Sequence, residues 1–413
     1  MSDASASPRE QEVVILLGTD TPIGLAVVRD LGRHGYRVVG IGRRRNALAG
    51  ASRYCQHHAV RSQGEAGLIA QIRTLAREFH ARSLVAVGES DLLLLNRHRN
   101  ELETQIRLLA PRADLLLQVL DKATCQEHAR AVGIAVPRTR RFSSLEEARK
   151  EAAGLSYPAV LKWSDPHEVA DALEKAGLPL VKTGYARNAE DLVAQLAPYA
   201  AVGKFPMVQD YCPGHGLGQM FLVQEGRILM EFQHERLHEW PPEGGASTLC
   251  RSVPLGEHRE IRGLSRALLQ RLRWTGIAMV EYRYDPDSGR YVFMEINGRF
   301  WGSLPLAIAA GVPFAAGLVA HCGNTRRPLP LPHDYPMLTA CYWIPETKRL
   351  LRLLFQRQRI RDPFYRPDPL RSLLSYLTFP LRPSSRWFVF QLTDPKPFFA
   401  DAASVLAKLR LRR

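Results

Sequence analysis

Glu281, Glu295, Asn297 and Arg299 carry the sharpest chemical signal in the sequence. They lie in residues 276–303, GIAMVEYRYDPDSGRYVFMEINGRFWGS, where two runs of mixed apolar and polar residues flank the turn-forming DPDSG, the pattern of a β-hairpin. A turn centred on Ser288 sets Glu281 directly opposite Glu295, with Asn297 two residues further along the same face. Opposed like charges destabilise a hairpin, so the pairing makes sense chiefly with a cation between the acids. Two carboxylates and an amide oxygen suit Mg2+ (or Mn2+), which takes its remaining ligands from water and phosphate oxygens. Arg299 would stand beside the ion, where a guanidinium stabilises a transferring phosphoryl group, and Gly298 and Gly302 keep the backbone close there. Val280, Tyr282, Val292, Met294 and Ile296 fall on the other face, toward a core. For the acid pair alone, the solvated side of an ordinary strand pair is the stronger reading; Arg299 and the glycines tip the balance toward metal.

The elements that must hold this hairpin follow from the texture of the chain. VVILL (13–17) ends in Gly18, an amphipathic stretch starts at Gly24, and YRVVGIG (36–42) is a second apolar run; together they make a strand, helix, strand unit of a parallel α/β domain. SLVAVGESD (83–91) and ADLLLQVLD (113–121) continue the sheet as third and fourth runs, with helices such as EAGLIAQIRTLAREFH (65–80) between successive runs, and the domain closes near residue 118. ATCQEHARAVG (123–133) is a helix stopped by Gly133, IAVPRTRRF (134–142) is extended, and SSLEEARKEAAG (143–154) is a helix with Ser144 and Glu147 as a capping box. From Tyr157 the texture turns antiparallel, in YPAVLKW, PLVKTGY, FPMVQDY and two hairpins, LVQEGRIL (222–229) and the one carrying Glu281. Residues 311–322 close this second domain as a helix, and a Pro- and Arg-rich extension from 326 has no assigned fold.

With 413 residues the chain has room for two or three domains with their own cores. GTDTPIG (18–24) resembles a dinucleotide-binding turn, and Arg43, Arg44 and Arg45 could receive a 2′-phosphate, so an NADP-dependent oxidoreductase is one rival. The GxGxxG spacing is missing and no hydride-transfer site follows, which favours glycines that serve only the bend. The net charge of +15 is uneven: from Cys341 onward fifteen Lys or Arg face five Asp or Glu. With Trp343, Phe355, Trp387, Phe388 and Phe390 interleaved, this tail suits anionic lipid, nucleic acid or an acidic partner. An arginine-rich solvated surface over a small helical core is an equal alternative, and no specific nucleic acid is implied. The six cysteines are scattered, without CxxC or Cys/His spacing, and read as reduced thiols. No run of about 18 apolar residues and no signal-peptide pattern occurs, so a cytoplasmic protein is expected. No Ser/His/Asp or Cys/His arrangement marks a side-chain nucleophile.

MEINGRFWGSLPLAIAAGVPF (294–314), with Glu281 upstream, resembles the metal-binding end of ATP-grasp enzymes. It is similar to the matching part of the carbamoyl-phosphate synthetase large chain and of carboxylate-amine ligases. The resemblance spans about residues 119–323, and the N-terminal unit is similar to the α/β domain that precedes the grasp. It implies an N-terminal parallel α/β pre-ATP-grasp domain (1–118), a two-lobed α+β ATP-grasp fold (119–325) and a basic C-terminal extension (326–413). ATP and Mg2+ are the implied cofactors, with Glu281, Glu295 and Asn297 as metal ligands and Arg299 at the phosphoryl or acyl phosphate group. Two basic residues hold nucleotide phosphates in such enzymes, matched here by Lys122 in LDKATC and Lys162 in YPAVLKW. The strand that carries adenine through its backbone matches MVQDYCPG, giving Gln209, Asp210, Tyr211 and Cys212. Two departures stand out. SDPHEVADALEKAGLP (164–179) has only Gly177 where a glycine-rich phosphate lid is usual, and no acid follows the linker strand for ribose, leaving Asp210 or His215.

In FQHERLHEWPPEGGASTLCRS (232–252), His234, Arg236 and His238 alternate along one strand face, and the PPEGG turn brings Ser247, Thr248 and Arg251 back over them. The resemblance places this region at the acceptor or acyl substrate; a solvated strand and loop is the alternative, and a zinc site of two histidines lacks a third ligand. The implied reaction is attack of a substrate carboxylate on the γ-phosphate of ATP, with Lys162 and Arg299 as the catalytic pair, then displacement of phosphate by an amine or other nucleophile. Besides the oxidoreductase, the rivals are a carboxyphosphate-forming bicarbonate user, like biotin carboxylase or carbamoyl-phosphate synthetase, and a non-catalytic ATP-binding regulator docked to membrane by its tail. A homodimer is left open.

Overall fold

The computed structural model describes residues 11–163, 166–180, 183–242, 244–323, 329, 330, 332, 334–360, 362, 365 and 367–410. The apolar runs of the N-terminal part form parallel strands β1 (Val13–Leu17), β2 (Arg37–Gly42), β3 (Cys55–Val60), β4 (Ser83–Ala86) and β5 (Arg107–Leu108), in the order β3-β2-β1-β4-β5. Alternate residues of β1 serve two cores, as a central strand covered on both faces requires. Val14 and Leu16 join the core that contains Leu25 and Val28 of helix Pro22–Arg33, whereas Ile15 and Leu17 join the one with Leu68 and Ile72 of helix Glu65–Glu78. ADLLLQVLD is not a strand, as its apolar run suggested, because Ala113–Leu120 is a helix. Leucine is a strong helix former, Asp114 sits in the first turn, and the two buried residues, Leu116 and Val119, are spaced for one helical face. A short apolar run does not by itself distinguish these outcomes.

A four-stranded antiparallel sheet follows, with β6 (Thr139–Arg140), β7 (Ala159–Lys162), β8 (Gly184–Ala186) and β9 (Met207–Asp210) in the order β6-β9-β7-β8. Where a glycine-rich lid was missing from the sequence, β7 and β8 are joined through helix Pro166–Lys175, whose Val169 and Leu173 pack with Trp163 and Tyr199. Residues 164, 165, 181 and 182 of this connection lie outside the described residues.

The largest sheet has seven strands, β10 (His215–Gln224), β11 (Arg227–Trp240), β12 (Ala246–Ser252), β13 (Gly276–Asp285), β14 (Arg290–Asn297), β15 (Thr339–Cys341) and β16 (Ser385–Trp387), in the order β14-β13-β10-β11-β12-β15-β16. The LVQEGRIL hairpin turns on Glu225 and Gly226, both at positive φ (49° and 81°), the two-residue turn that matches strand twist. β15 and β16 come from the extension left without a fold, which is therefore part of this sheet.

Helix Pro22–Arg33 joins the first sheet to the third by packing on helices Leu304–Ala309 and Phe314–Cys322. Its Asp30 carboxylate accepts from the amides of Ala315 (2.8 Å) and Ala316 (3.1 Å), satisfying the open N-terminus of the second of these helices. Asp394 of the extension accepts from Arg29 Nε at 2.9 Å and Ser52 Oγ at 2.6 Å. All six cysteines are free thiols. No helix among the described residues is long and apolar enough to cross a membrane.

Candidate active site

A cleft of about 1110 Å3 is lined by residues of the second and third sheets and by turns at the end of the first. His234, Arg236 and His238 of β11, Met279 and Glu281 of β13, and Met294, Glu295 and Asn297 of β14 form one wall. Lys162 at the end of β7, Gln209 and Asp210 of β9, and Tyr211 and Cys212 just beyond also line it. So do Lys122 at the start of helix Lys122–Ala131, Ser247, Arg299, and Thr21 and Gly88 from the turns after β1 and β4.

Glu281 pairs directly with Glu295 across the ladder, and Met279 with Asn297, so the acids and the amide share a face as the sequence register requires. Just beyond, the register shifts: Tyr282 pairs with Phe293, and Met294 is left as the extra residue of a bulge. This corrects the expected core face. Met294 lines the cleft beside Glu295, and fully buried Phe293 takes the core position, while Val280, Tyr282 and Ile296 stay buried as expected.

Burial pushes the Glu281 carboxyl up and Glu295 adds to this, against the pull of Arg236. Arg236 Nη2 is bonded to Glu281, and Nη1 lies 3.6 Å from Glu239. Burial opposes the Arg236 charge, but Glu281, Glu239 and Glu295 outweigh it and hold its pKa above the usual arginine range. Asn297 Nδ2 donates to Glu295 Oε1 at 2.9 Å. Two facing acids, of which only Glu281 is bonded to a guanidinium among the described residues, leave room for more positive charge, and their oxygens with the Asn297 carbonyl are a hard donor set, so these residues fit Mg2+. Among the described residues no group of three or more His, Cys, Asp or Glu is arranged to hold a metal alone; the remaining ligands would be phosphate and water oxygens.

Burial, and then Lys122, push the Lys162 ammonium below its ordinary pKa, the setting in which a polyanion is most welcome. Arg299 donates from Nε to Glu89 Oε1 at 2.9 Å and from Nη1 to the Phe300 carbonyl at 3.1 Å. Glu89 was missed in the sequence. Its signal was position, since VAVGE puts it just past the carboxyl end of a parallel strand, where open α/β sheets bind ligands. Of the two glycines expected to keep the backbone close, only Gly298 is required by space. A Cβ there would lie 2.7 Å from Trp274 Cη2, whereas nothing lies within 4 Å of one at Gly302.

The linker strand β9 is central in its sheet, between β6 and β7. Asp210 N donates to Arg138 O (3.1 Å), Tyr211 N to Pro158 O (3.2 Å) and Gln209 Nε2 to Thr139 Oγ1 (2.9 Å). Arg283 Nε donates to Cys212 O at 3.3 Å. The GTDTPIG turn serves a bend: the Thr21 hydroxyl accepts from Gly24 N, and a Cβ on Gly24 would lie 2.3 Å from the Gly18 carbonyl oxygen. Arg43, Arg44 and Arg45 are exposed and do not line the cleft.

His234 is 1% exposed, with Nδ1 2.7 Å from Ser303 Oγ and Nε2 without a partner. Burial, then Arg236, lower its pKa to about 3, so the ring is neutral at pH 7. Thr248 and Arg251, expected at the substrate, do not line the cleft. The period of two along β12 turns Thr248 away from Ser247, to donate to Glu346 Oε2 at 2.5 Å, and Arg251 reaches Glu235 Oε2 at 2.7 Å. Glu346, from helix Trp343–Phe355 of the extension, also lies 2.8 Å from His238 Nδ1 and accepts from Arg349 Nη2 at 2.8 Å. Arg349 Nη2 donates to His238 Nε2 at 3.3 Å, so His238 donates to Glu346 through Nδ1. Asp362 and Tyr365 of the extension line the cleft as well.

No family model matches the sequence. The chain is similar, over about three quarters of its length, to solved biotin carboxylase structures. One is the biotin carboxylase domain of the Hydrogenobacter thermophilus 2-oxoglutarate carboxylase, in complex with MgADP, ADP and bicarbonate (16% identity, 78% of this chain and 72% of that one, TM-score 0.58). Another is the Campylobacter jejuni biotin carboxylase (15% identity, 76% and 72%, TM-score 0.56). An ADP complex of N5-carboxyaminoimidazole ribonucleotide synthetase aligns over 90% of this chain and 97% of that one, at 14% identity and a TM-score of 0.60. These are ATP-grasp enzymes. The chain has the ATP-grasp fold. The four- and seven-stranded sheets both contribute walls to the cleft.

Proposed function

We propose that this protein is an ATP- and Mg2+-dependent ligase that activates a carboxylate as an acyl phosphate and passes the acyl group to an amine or another nucleophile. The observation that carries this reading is the direct opposition of Glu281 and Glu295 in a cleft that also holds Lys122 and Lys162. Glu281, Glu295 and Asn297 hold the metal, which when bound would neutralise charge on the β- and γ-phosphate oxygens. Lys122 and Lys162 bind the phosphates, Gln209, Asp210, Tyr211 and Cys212 border adenine, and Arg299, braced by Glu89, stabilises the transferring group.

A substrate carboxylate oxygen attacks the γ-phosphorus in line, and the bond from that phosphorus to the β-bridging oxygen breaks, releasing ADP. The nucleophile then bonds to the acyl carbon and loses a proton, while the carbon–oxygen bond to phosphate breaks and phosphate leaves. His234, Arg236, His238 and Ser247 border the acceptor end. We assign residues 1–118 to the leading domain, 119–325 to the grasp and 326–413 to an extension that closes the acceptor end through Glu346, Asp362 and Tyr365; the first boundary falls inside helix Ala113–Leu120.

A second reading, carboxyphosphate formation from bicarbonate, is favoured by the bicarbonate in the Hydrogenobacter thermophilus structure. ADP release measured with amino acids and small carboxylates, singly and paired with amines, and with bicarbonate alone, separates the two. A pair that stimulates Mg2+-dependent release supports the ligase, and stimulation by bicarbonate alone supports the carboxyphosphate reading. Glu295→Ala should lower the stimulated rate by about a hundredfold or more with an unchanged unfolding midpoint. An unaffected rate would rule out the assigned site.

A further inference from the structure

The outer surface of the extension is apolar in a way the cleft does not explain. Of fifteen large apolar side chains exposed among the described residues, ten lie beyond residue 340. Helix Pro369–Thr378 has no buried residue, and its Leu370, Leu374 and Leu377, four and three residues apart on one face, are 66%, 54% and 60% exposed. Leu381, just beyond, is 80% exposed. The helix is attached from other sides. Tyr376 Oη is bonded to Trp343 Nε1 and lies 2.6 Å from Thr347 Oγ1, and Phe379 is buried against Leu249 and Cys341. The leucine stripe therefore faces water on an anchored element.

The charge carried by this segment has one sign. Residues 369–393 contain Arg371, Arg382 and Arg386 and no acid, and all three arginines are exposed. Arg382 Nη2 lies 3.1 Å from Thr378 Oγ1, which sets its guanidinium at the end of the leucine helix. The nearest acid in sequence, Asp368, is occupied as the N-cap, accepting from Arg371 N at 3.0 Å. A second copy on this face would bring like charge against like charge, and nucleic acid offers leucine nothing. An anionic bilayer supplies both an acyl boundary for the leucines and phosphates for the arginines.

We propose that helix Pro369–Thr378 and the Leu381 turn dock this protein on an anionic lipid surface, with the helix lying in the plane of the interface. The test is co-sedimentation of the full chain with vesicles of phosphatidylcholine alone and of phosphatidylcholine mixed with phosphatidylglycerol. Wild type should bind the mixed vesicles at least about tenfold more tightly than the neutral ones, and less tightly as salt rises. Leu374→Asp/Leu377→Asp and Arg371→Gln/Arg382→Gln/Arg386→Gln should each weaken binding by roughly tenfold or more, with circular dichroism melts like wild type. Because the altered side chains are exposed, either variant suffices if the other fails to fold. Wild type that ignores the anionic vesicles, or variants that bind them as wild type does, would overturn the proposal. A leucine variant that instead converts a dimer to a monomer on size exclusion, with no vesicle binding by wild type, would assign the face to self-association.

Discussion

Arg236 sets the charge balance of the cleft, because it alone among the described basic side chains is bonded to Glu281, and Glu239 lies 3.6 Å from its other amino group. Arg236→Met would leave those half-buried acids without this counter-charge; breaking a fully buried pair from one side costs about 3–5 kcal/mol, so a loss of about 2 kcal/mol or more is expected. Urea unfolding should show that loss, and Mg2+ with ATP should recover part of it, since a bound ion supplies positive charge at the same acids. His234 gives a second residue-level signature. Its folded pKa of about 3 lies below the ordinary 6.5, so between those values the unfolded chain binds a proton that the folded one does not. Stability from this group is complete above about pH 6.5 and falls toward pH 3, by up to about 1.4 kcal/mol per pH unit. His234→Gln should flatten the acid limb of stability against pH; an unchanged slope would place that titration elsewhere.

At the scale of elements, the end of β14 is fixed by what lies beneath it. Gly298 follows Asn297, and a Cβ there would meet Trp274 at 2.7 and 2.9 Å, with that ring fully buried. Gly298→Ala should therefore cost about 1–3 kcal/mol and displace Asn297, read as a lower unfolding midpoint with weaker Mg2+-dependent nucleotide binding. The same hairpin shows what the sequence makes legible. Opposition of Glu281 and Glu295 follows from a period of two and a recognisable turn, both written locally. The bulge at Met294 is a single extra residue with no compositional mark, so Phe293 and Met294 exchange faces unannounced. ADLLLQVLD failed for a related reason, as eight residues of leucine-rich chain satisfy strand and helix alike until Asp114 and the burial of Leu116 and Val119 are weighed. Glu346 was out of reach altogether, because its partners His238 and Thr248 are distant in sequence and only the pairing of β12 with β15 brings the extension beside them.

For the whole molecule, the extension returns to the first domain. Buried Asp394 accepts from Arg29, Ser52 and the Arg53 amide, while Arg29 also donates to the carbonyls of Val389 and Asp394. Burial opposes the Asp394 charge, and these donors outweigh it, so its pKa is lowered. Its stabilisation is present above the ordinary aspartate range and is lost as pH falls through the folded value. Asp394→Ala leaves Arg29 buried and unpaired, and should cost about 3 kcal/mol or more, with faster hydrogen exchange in β16 than in β1. Equal exchange in variant and wild type would mean that the contact does not tie the extension down.

The cleft draws on the second and third sheets and on turns of the first domain, and its proposed chemistry rests on facing acids that would hold a divalent ion against a triphosphate. The most direct test is calorimetric titration of ATP with and without Mg2+ into wild type and Glu281→Gln/Glu295→Gln. Mg2+ should tighten ATP binding by about tenfold or more in wild type and leave the double variant nearly unchanged. Equal Mg2+ dependence in both proteins, or wild type that binds no nucleotide, would contradict it.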